Sequence, residues 1–258
     1  MSETPRRRRE GTSGPKSGQK SGPKEDGRTA RARATRARIT TAAAELFTTS
    51  GYTATSMAAI AAKAGVSEQT LYYAFSTKRA ILTTALDLAV AGDDEPVPTL
   101  DRPWTRDALA DPDPVGQIRR QVDGAADIHL RAAALLDVVR GAATTDPDLA
   151  EVWATNLRQR LTVQRVFAEA LAEKTPLRAG LTVGTAADIA LTVLAPETYN
   201  LLVHTRGWSG TRWRDWAVDA LVGMLTTLPA DRTTTGASSR RDARRMADDP
   251  EDAGRDNG

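Results

Sequence analysis

Few side chains in this 258-residue chain could carry out covalent or metal chemistry. It has no cysteine and only two histidines, His129 and His204. Lack of cysteine excludes disulfides, thiolate zinc sites and thiol nucleophiles. Two separated imidazoles equip the chain poorly for metal binding or general-base work. No Gly-rich phosphate loop, GxSxG elbow, paired metal ligands or glycine-led dinucleotide fingerprint occurs. The chain is therefore not expected to be an enzyme, and neither a metal nor a cofactor is expected. Chemistry of another kind is concentrated in one short stretch. Ser67, Glu68, Gln69, Thr70, Tyr72 and Tyr73 bring hydroxyls, an amide, a carboxylate and two phenols together. Such groups hydrogen-bond to base edges and phosphates.

These groups act together only if a helix presents them on one face. At about 100° per residue, with Leu71 facing inward, Gln69 and Tyr73 fall about 160° and 200° away, on the outward side. Thr70 and Tyr72 flank them. Glu68 lies nearer the buried side, in the first turn, where it could accept from cytosine. Gln69 suits a bidentate pair with adenine, and Tyr and Thr suit phosphates or a thymine methyl.

The surrounding pattern is helical. Ile39, Ala43, Leu46 and Phe47 form one apolar stripe that Gly51 ends. Thr55 or Ser56 caps a second helix with Met57, Ile60, Ala61 and Ala64 inside, ended by Gly65. Ser67 caps a third short helix closed by Phe75, and Ser76 a fourth running through Ile81, Leu82, Leu86 and Leu88. Short helices at 31–50, 56–63 and 67–74 with tight turns match a helix-turn-helix, whose last helix enters the major groove.

The stretch TATSMAAIAAKAGVSEQTLYYAFSTKRAIL carries more than periodicity. It closely resembles the signature of the TetR family of regulators through Thr55, Ile60, Ala61, Ala64, Gly65, Val66, Ser67, Thr70, Leu71, Tyr72, Phe75, Lys78 and Leu82. The resemblance covers residues 33 to 90. It implies an all-helical homodimer with an N-terminal DNA-binding unit and a helical ligand domain. By this resemblance Thr55, Thr70, Tyr73 and Lys78 hold phosphates, while Glu68, Gln69 and Tyr72 face base edges. Ala74 stands where the family often has histidine, so one backbone contact is in doubt.

The rest of the chain reads as a larger helical unit. Residues 92–113 are acidic and proline-rich, a linker or irregular crossing. Pro114 opens a long helix to about Ala143, and Asp146 with Pro147 opens another. Further helices are expected at 183–194, 196–205 and 211–228. The last two resemble the pair through which many TetR-family members dimerise. Leu201, Leu202, Trp216, Leu221, Met224 and Leu225 are the interface candidates. Trp104, His129, Arg140, Trp153, Tyr199 and Trp208 are candidates to line a ligand cavity.

The ends differ from this pattern. Arg6 to Arg9, Lys16, Lys20, Lys24, Arg28, Arg31, Arg33, Arg36 and Arg38 outweigh Glu3, Glu10, Glu25 and Asp26, although the whole chain is only +2. Such an arm suits a polyanion. It also leaves open a non-specific architectural DNA protein. Lacking large apolar groups, residues 1–30 and 231–258 are expected to be disordered.

The expected layout is all-α: a basic arm over 1–30, a three-helix helix-turn-helix DNA-binding domain over 31–91, a linker over 92–113 and a ligand-binding and dimerisation domain over 114–230. The expected partners are a double-stranded DNA operator, an unknown small-molecule effector and a second copy of the chain, making it a repressor released by ligand. No apolar run spans a membrane and no secretory signal opens the chain, so the expected location is cytoplasmic.

Overall fold

The computed structural model describes residues 27–93, 95 and 97–228. The basic arm through residue 26 and the tail from residue 229, with the disorder expected of them, lie outside the described residues. Helix α1 spans Gly27–Ser50 and so begins within the expected arm. Its apolar stripe is realised by Ile39, Ala43 and Phe47, all fully buried.

Three further helices complete the N-terminal unit. Helix α2 spans Met57–Ala64, α3 Glu68–Ala74 and α4 Lys78–Ala91. Ser56 caps α2 by accepting from the Ala59 amide at 3.1 Å, and Thr77, not Ser76, caps α4. Their inward residues Ile60, Leu71, Ile81 and Leu82 meet Phe47 in one core.

The segment expected to be irregular is more ordered. A 3-10 turn at Thr99–Asp101 is followed by helix α5, Pro103–Ala110, with proline in its first turn. Proline there costs no hydrogen bond, because the first amides of a helix have no internal partner.

Helix α6, Pro114–Ala142, is the spine. Asp113 caps it by accepting from the Val115 and Gly116 amides at 3.3 and 2.9 Å. Its C-terminal half closes the first core with Leu135, Leu136 and Val139. Its N-terminal half enters a second core through Ile118, Val122 and Ala126. At Gly124 the Trp104 ring of α5 lies against the backbone, where a Cβ would stand 2.3 Å from it.

Helix α7, Pro147–Lys174, opens on the Asp146 cap as its sequence implies. Helix α8 is Val183–Val193, and α9 is the short Pro196–Tyr199. A π-helical turn, Asn200–Thr205, then replaces the expected α-helix, and α10 covers Gly210–Leu225. Trp213, fully buried on α10, is among the largest side chains of the second core. The β pairing among the described residues is the isolated bridge between Leu177 and Thr226.

Candidate nucleic-acid interface

The turn between α2 and α3 is fixed from both sides. Gly65 ends α2 at φ +65°, and its amide donates back to the last turn. A left-handed position this close to ordered helices suits glycine, which has no Cβ to clash. Val66 N–H then donates to Ala61 C=O at 3.0 Å. Ser67 caps α3, accepting from the Thr70 amide at 3.1 Å, and its hydroxyl meets that of Thr70 at 2.8 Å. Leu71, fully buried, anchors α3 to the core.

With Leu71 inward, the other side of α3 faces solvent. Ser67, Glu68, Gln69, Thr70, Tyr72 and Tyr73 are all exposed. Tyr73 is 89% exposed and Tyr72 53%. Large aromatic rings are seldom left so open without a partner to meet.

Two residues assigned to phosphates have other work. Thr55 is 3% exposed, and its hydroxyl donates to Gly51 C=O at 2.8 Å and Leu46 C=O at 3.3 Å. It closes the α1–α2 turn instead of facing a ligand. The Lys78 ammonium donates to Tyr52 C=O at 2.7 Å and Thr55 C=O at 2.8 Å, and lies 4.3 Å from the centre of the Tyr52 ring. Desolvation pushes its pKa down from the usual lysine value. Lys78 thus fastens α4 to the α1–α2 turn.

Sequence reasoning missed Arg36. Its guanidinium donates to Ala74 C=O, at the end of α3, and stacks 4.0 Å over the Phe75 ring. It ties α1 to the end of α3. One arginine in an arginine-rich run gives no sequence signal for that contact. Exposed Arg28, Arg31, Arg33 and Arg38 lie along the same helix.

In the larger unit the cavity candidates scatter. Trp104 stacks on Phe167 and lines a ≈470 Å³ cavity between α4, α5 and α6. His129 and Tyr199 are buried together with Trp213, ring centres 5.1 to 5.7 Å apart. His129 Nε2 donates to Leu194 C=O at 2.9 Å, and burial pushes its pKa down to about 4, so the ring is neutral. Arg140 is exposed and paired with Asp137 at 2.6 Å, away from any described cavity. Trp153 packs against the first core, with the Arg160 guanidinium 5.2 Å from its ring centre. Trp208 stands edge-on to Trp216.

The interface candidates divide. Leu201 and Met224 are 55% and 49% exposed, and Leu202 and Trp216 are partly buried. Leu221 and Leu225 are instead 0% and 3% exposed and belong to the second core. They lie in the core and not on the expected interface, because the face of α10 that carries them packs on α6 and α8. Among the described residues no helix is long and apolar enough to cross a membrane.

Residues 39–85 match the family described as bacterial regulatory proteins, tetR family. No curated protein matches the chain. Solved structures share its fold. One is a TetR-family transcriptional regulator from Mesorhizobium loti, with 19% identity, TM-score 0.57, and coverage of 76% of this chain and 98% of that one. A transcriptional regulator from Saccharomonospora viridis in complex with choline has 17% identity, TM-score 0.58, and coverage of 75% and 98%. The regulator FadR from Bacillus subtilis, in complex with stearoyl-CoA, has 16% identity, TM-score 0.58, and coverage of 72% and 97%.

Proposed function

We propose that this chain, whose residues 39–85 form a tetR-family N-terminal domain, is a dimeric, ligand-responsive, DNA-binding transcriptional repressor of the cytoplasm. The observation that carries the reading is the outward face of α3: a capped helix, anchored by Leu71, that leaves Gln69 and two tyrosines in solvent. In this reading Gln69, Glu68 and Tyr72 face base edges in the major groove. Tyr73, Thr70 and Ser67 hold phosphates.

Dimerisation through Leu201, Leu202, Trp216 and Met224 places two such helices on successive grooves. Neighbouring folds in complex with choline and stearoyl-CoA support a small-molecule effector for the larger unit. Effector and operator then favour different conformations, and each weakens the other by the same factor.

The test is a gel-shift and salt titration on fragments of the chain's own upstream region and on random duplexes. Gln69→Ala should cost about 1–3 kcal/mol on the preferred sequence and little on random DNA. Equal losses on both would remove the base-reading role. No preference for any sequence in the unaltered protein would favour an architectural DNA protein instead. For the dimer, paired Leu201→Asp and Met224→Asp changes should give folded monomers in sedimentation; an unchanged dimer refutes that face.

A further inference from the structure

Helix α3 is too short to hold its own direction. It has seven residues, and Leu71 is its one buried side chain. A helix of this length is not stable alone in water, so its pose is set by what it is fastened to. The Gly65 turn and the Ser67 cap fix its N-terminal end. One anchor at the middle and a fixed start still leave the far end, with exposed Tyr72 and Tyr73, to be held.

Two groups meet that end. Phe75, buried in the first core, follows α3 directly, and its N–H donates to Leu71 C=O at 2.8 Å. Arg36 of α1 lies across it: the guanidinium donates to Ala74 C=O and stacks 4.0 Å from the centre of the Phe75 ring. The last carbonyls of a helix have no partner within it and form its negative end. A guanidinium supplies a donor and a positive charge there while its plane lies on a ring. The turns of α1 before Ile39 contribute no buried side chain. Arg36 thus stands where α1 leaves the core, on the side that meets the end of α3.

We propose that Arg36 is a positioning residue that sets the pose of α3, and through it the aim of Gln69 and the two tyrosines. It acts on a bound duplex through α3 and not by touching the duplex. The inference rests on the reading of α3 as the helix that reads DNA. A group that recognises a base must be held to within about 0.5 Å. A small tilt about Leu71, at the middle of the helix, is enough to take Gln69 off a base edge.

The test joins two measurements on the full chain, with Arg36→Met as the main variant because it keeps side-chain length without donor or charge. The first is hydrogen exchange without DNA. Amides of residues 72–75 should exchange about tenfold faster in Arg36→Met, while those of α2 keep their rates. The second is gel shift on the preferred upstream fragment and on random duplexes, well below melting. Arg36→Met should lower the preference for the specific sequence about five- to a hundredfold. It should leave the slope of log affinity against log salt in place. In Gln69→Ala protein the same change should cost much less, because the aim it sets is already lost. Arg36→Lys, which keeps the charge without the flat stack, should recover only part of the preference. Arg36 is exposed, and melting curves of both variants check that the fold is kept. Unchanged exchange at 72–75 would overturn the proposal whatever the DNA shows. So would an unchanged preference despite faster exchange, full recovery by Arg36→Lys, or equal losses with and without Gln69. A salt slope lower by ~0.9, with equal losses on both duplexes, would mark a phosphate contact and overturn it too. If exchange rises but the unaltered protein prefers no sequence, Arg36 still sets the pose of α3, and the reading of α3 as the DNA reader fails instead.

Discussion

The two cores of this molecule treat buried polarity differently. In the N-terminal core the buried hydroxyls of Thr40 and Thr55 both donate to backbone carbonyls. In the C-terminal unit Gln117, Gln121 and Gln164 are likewise paired. Yet His129 Nδ1, Arg160 Nη2, Asn200 Oδ1 and Trp213 Nε1 are buried there with no partner among the described residues. Each such atom costs about 1–3 kcal/mol. The N-terminal unit is thus satisfied among its described residues, and the larger unit keeps unspent hydrogen-bonding capacity on α6, α7, the π-helical turn and α10. Under the proposed function, a DNA-binding head needs one geometry, whereas a ligand-responsive unit needs a second state within reach.

That contrast would break if the two cores unfolded separately, because α6 contributes to both. Phe47→Ala should produce the largest effect, about 3–5 kcal/mol, through the cavity left in the head. It should lower a single cooperative transition, since Leu135, Leu136 and Val139 of α6 close the same core. Two resolved transitions in calorimetry would show that the head is independent of the larger unit.

The next effect sharpens the idea of a satisfied head. Lys78→Met keeps most of the side-chain bulk but removes the donor to the Tyr52 and Thr55 carbonyls. It should cost about 1–3 kcal/mol in denaturant unfolding. The slope of log affinity against log salt should change by much less than the ~0.9 expected for a lost phosphate contact. A full loss of that slope with unchanged stability would return Lys78 to the DNA backbone.

How much could be read in advance follows the same divide. Ser67, Gly65, Asp113 with Pro114 and Asp146 with Pro147 are local stop and start signals, and the helices obey them. Leu71 alone fixed which face of α3 turns outward. Helix α5 was hidden in a proline- and acid-rich segment, although Pro103 is itself a first-turn signal. The direction of Leu221 and Leu225 was not legible, because an amphipathic helix shows its apolar face without saying which neighbour covers it. Thr55 and Lys78 have side chains suited to phosphate, and only three-dimensional proximity to backbone carbonyls shows them spent. Trp213 escaped notice for the same reason: its burial depends on α6 and α8 arriving from far along the chain.

The smallest expected effect probes the C-terminal core through pH. His129 is buried as a neutral ring whose pKa lies at about 4, against an ordinary 6.5. Between those values the unfolded chain binds a proton that the folded chain excludes. Stability must therefore fall as pH drops through this window, and it is unaffected by this group well above 6.5. From pH 7.5 to 5.5 the loss should be about 1 kcal/mol. His129→Gln should remove that slope, since the amide can donate to the Leu194 carbonyl without titrating; it should also lower stability at every pH by imperfect packing. The measurement is urea unfolding at half-unit pH intervals for wild type and His129→Gln. A wild-type curve flat from pH 7.5 to 5.5, or a slope that survives in His129→Gln, would mean that the core admits the charged ring. The second core would then be as open to polarity as the surface, and the distinction between the two cores would not hold.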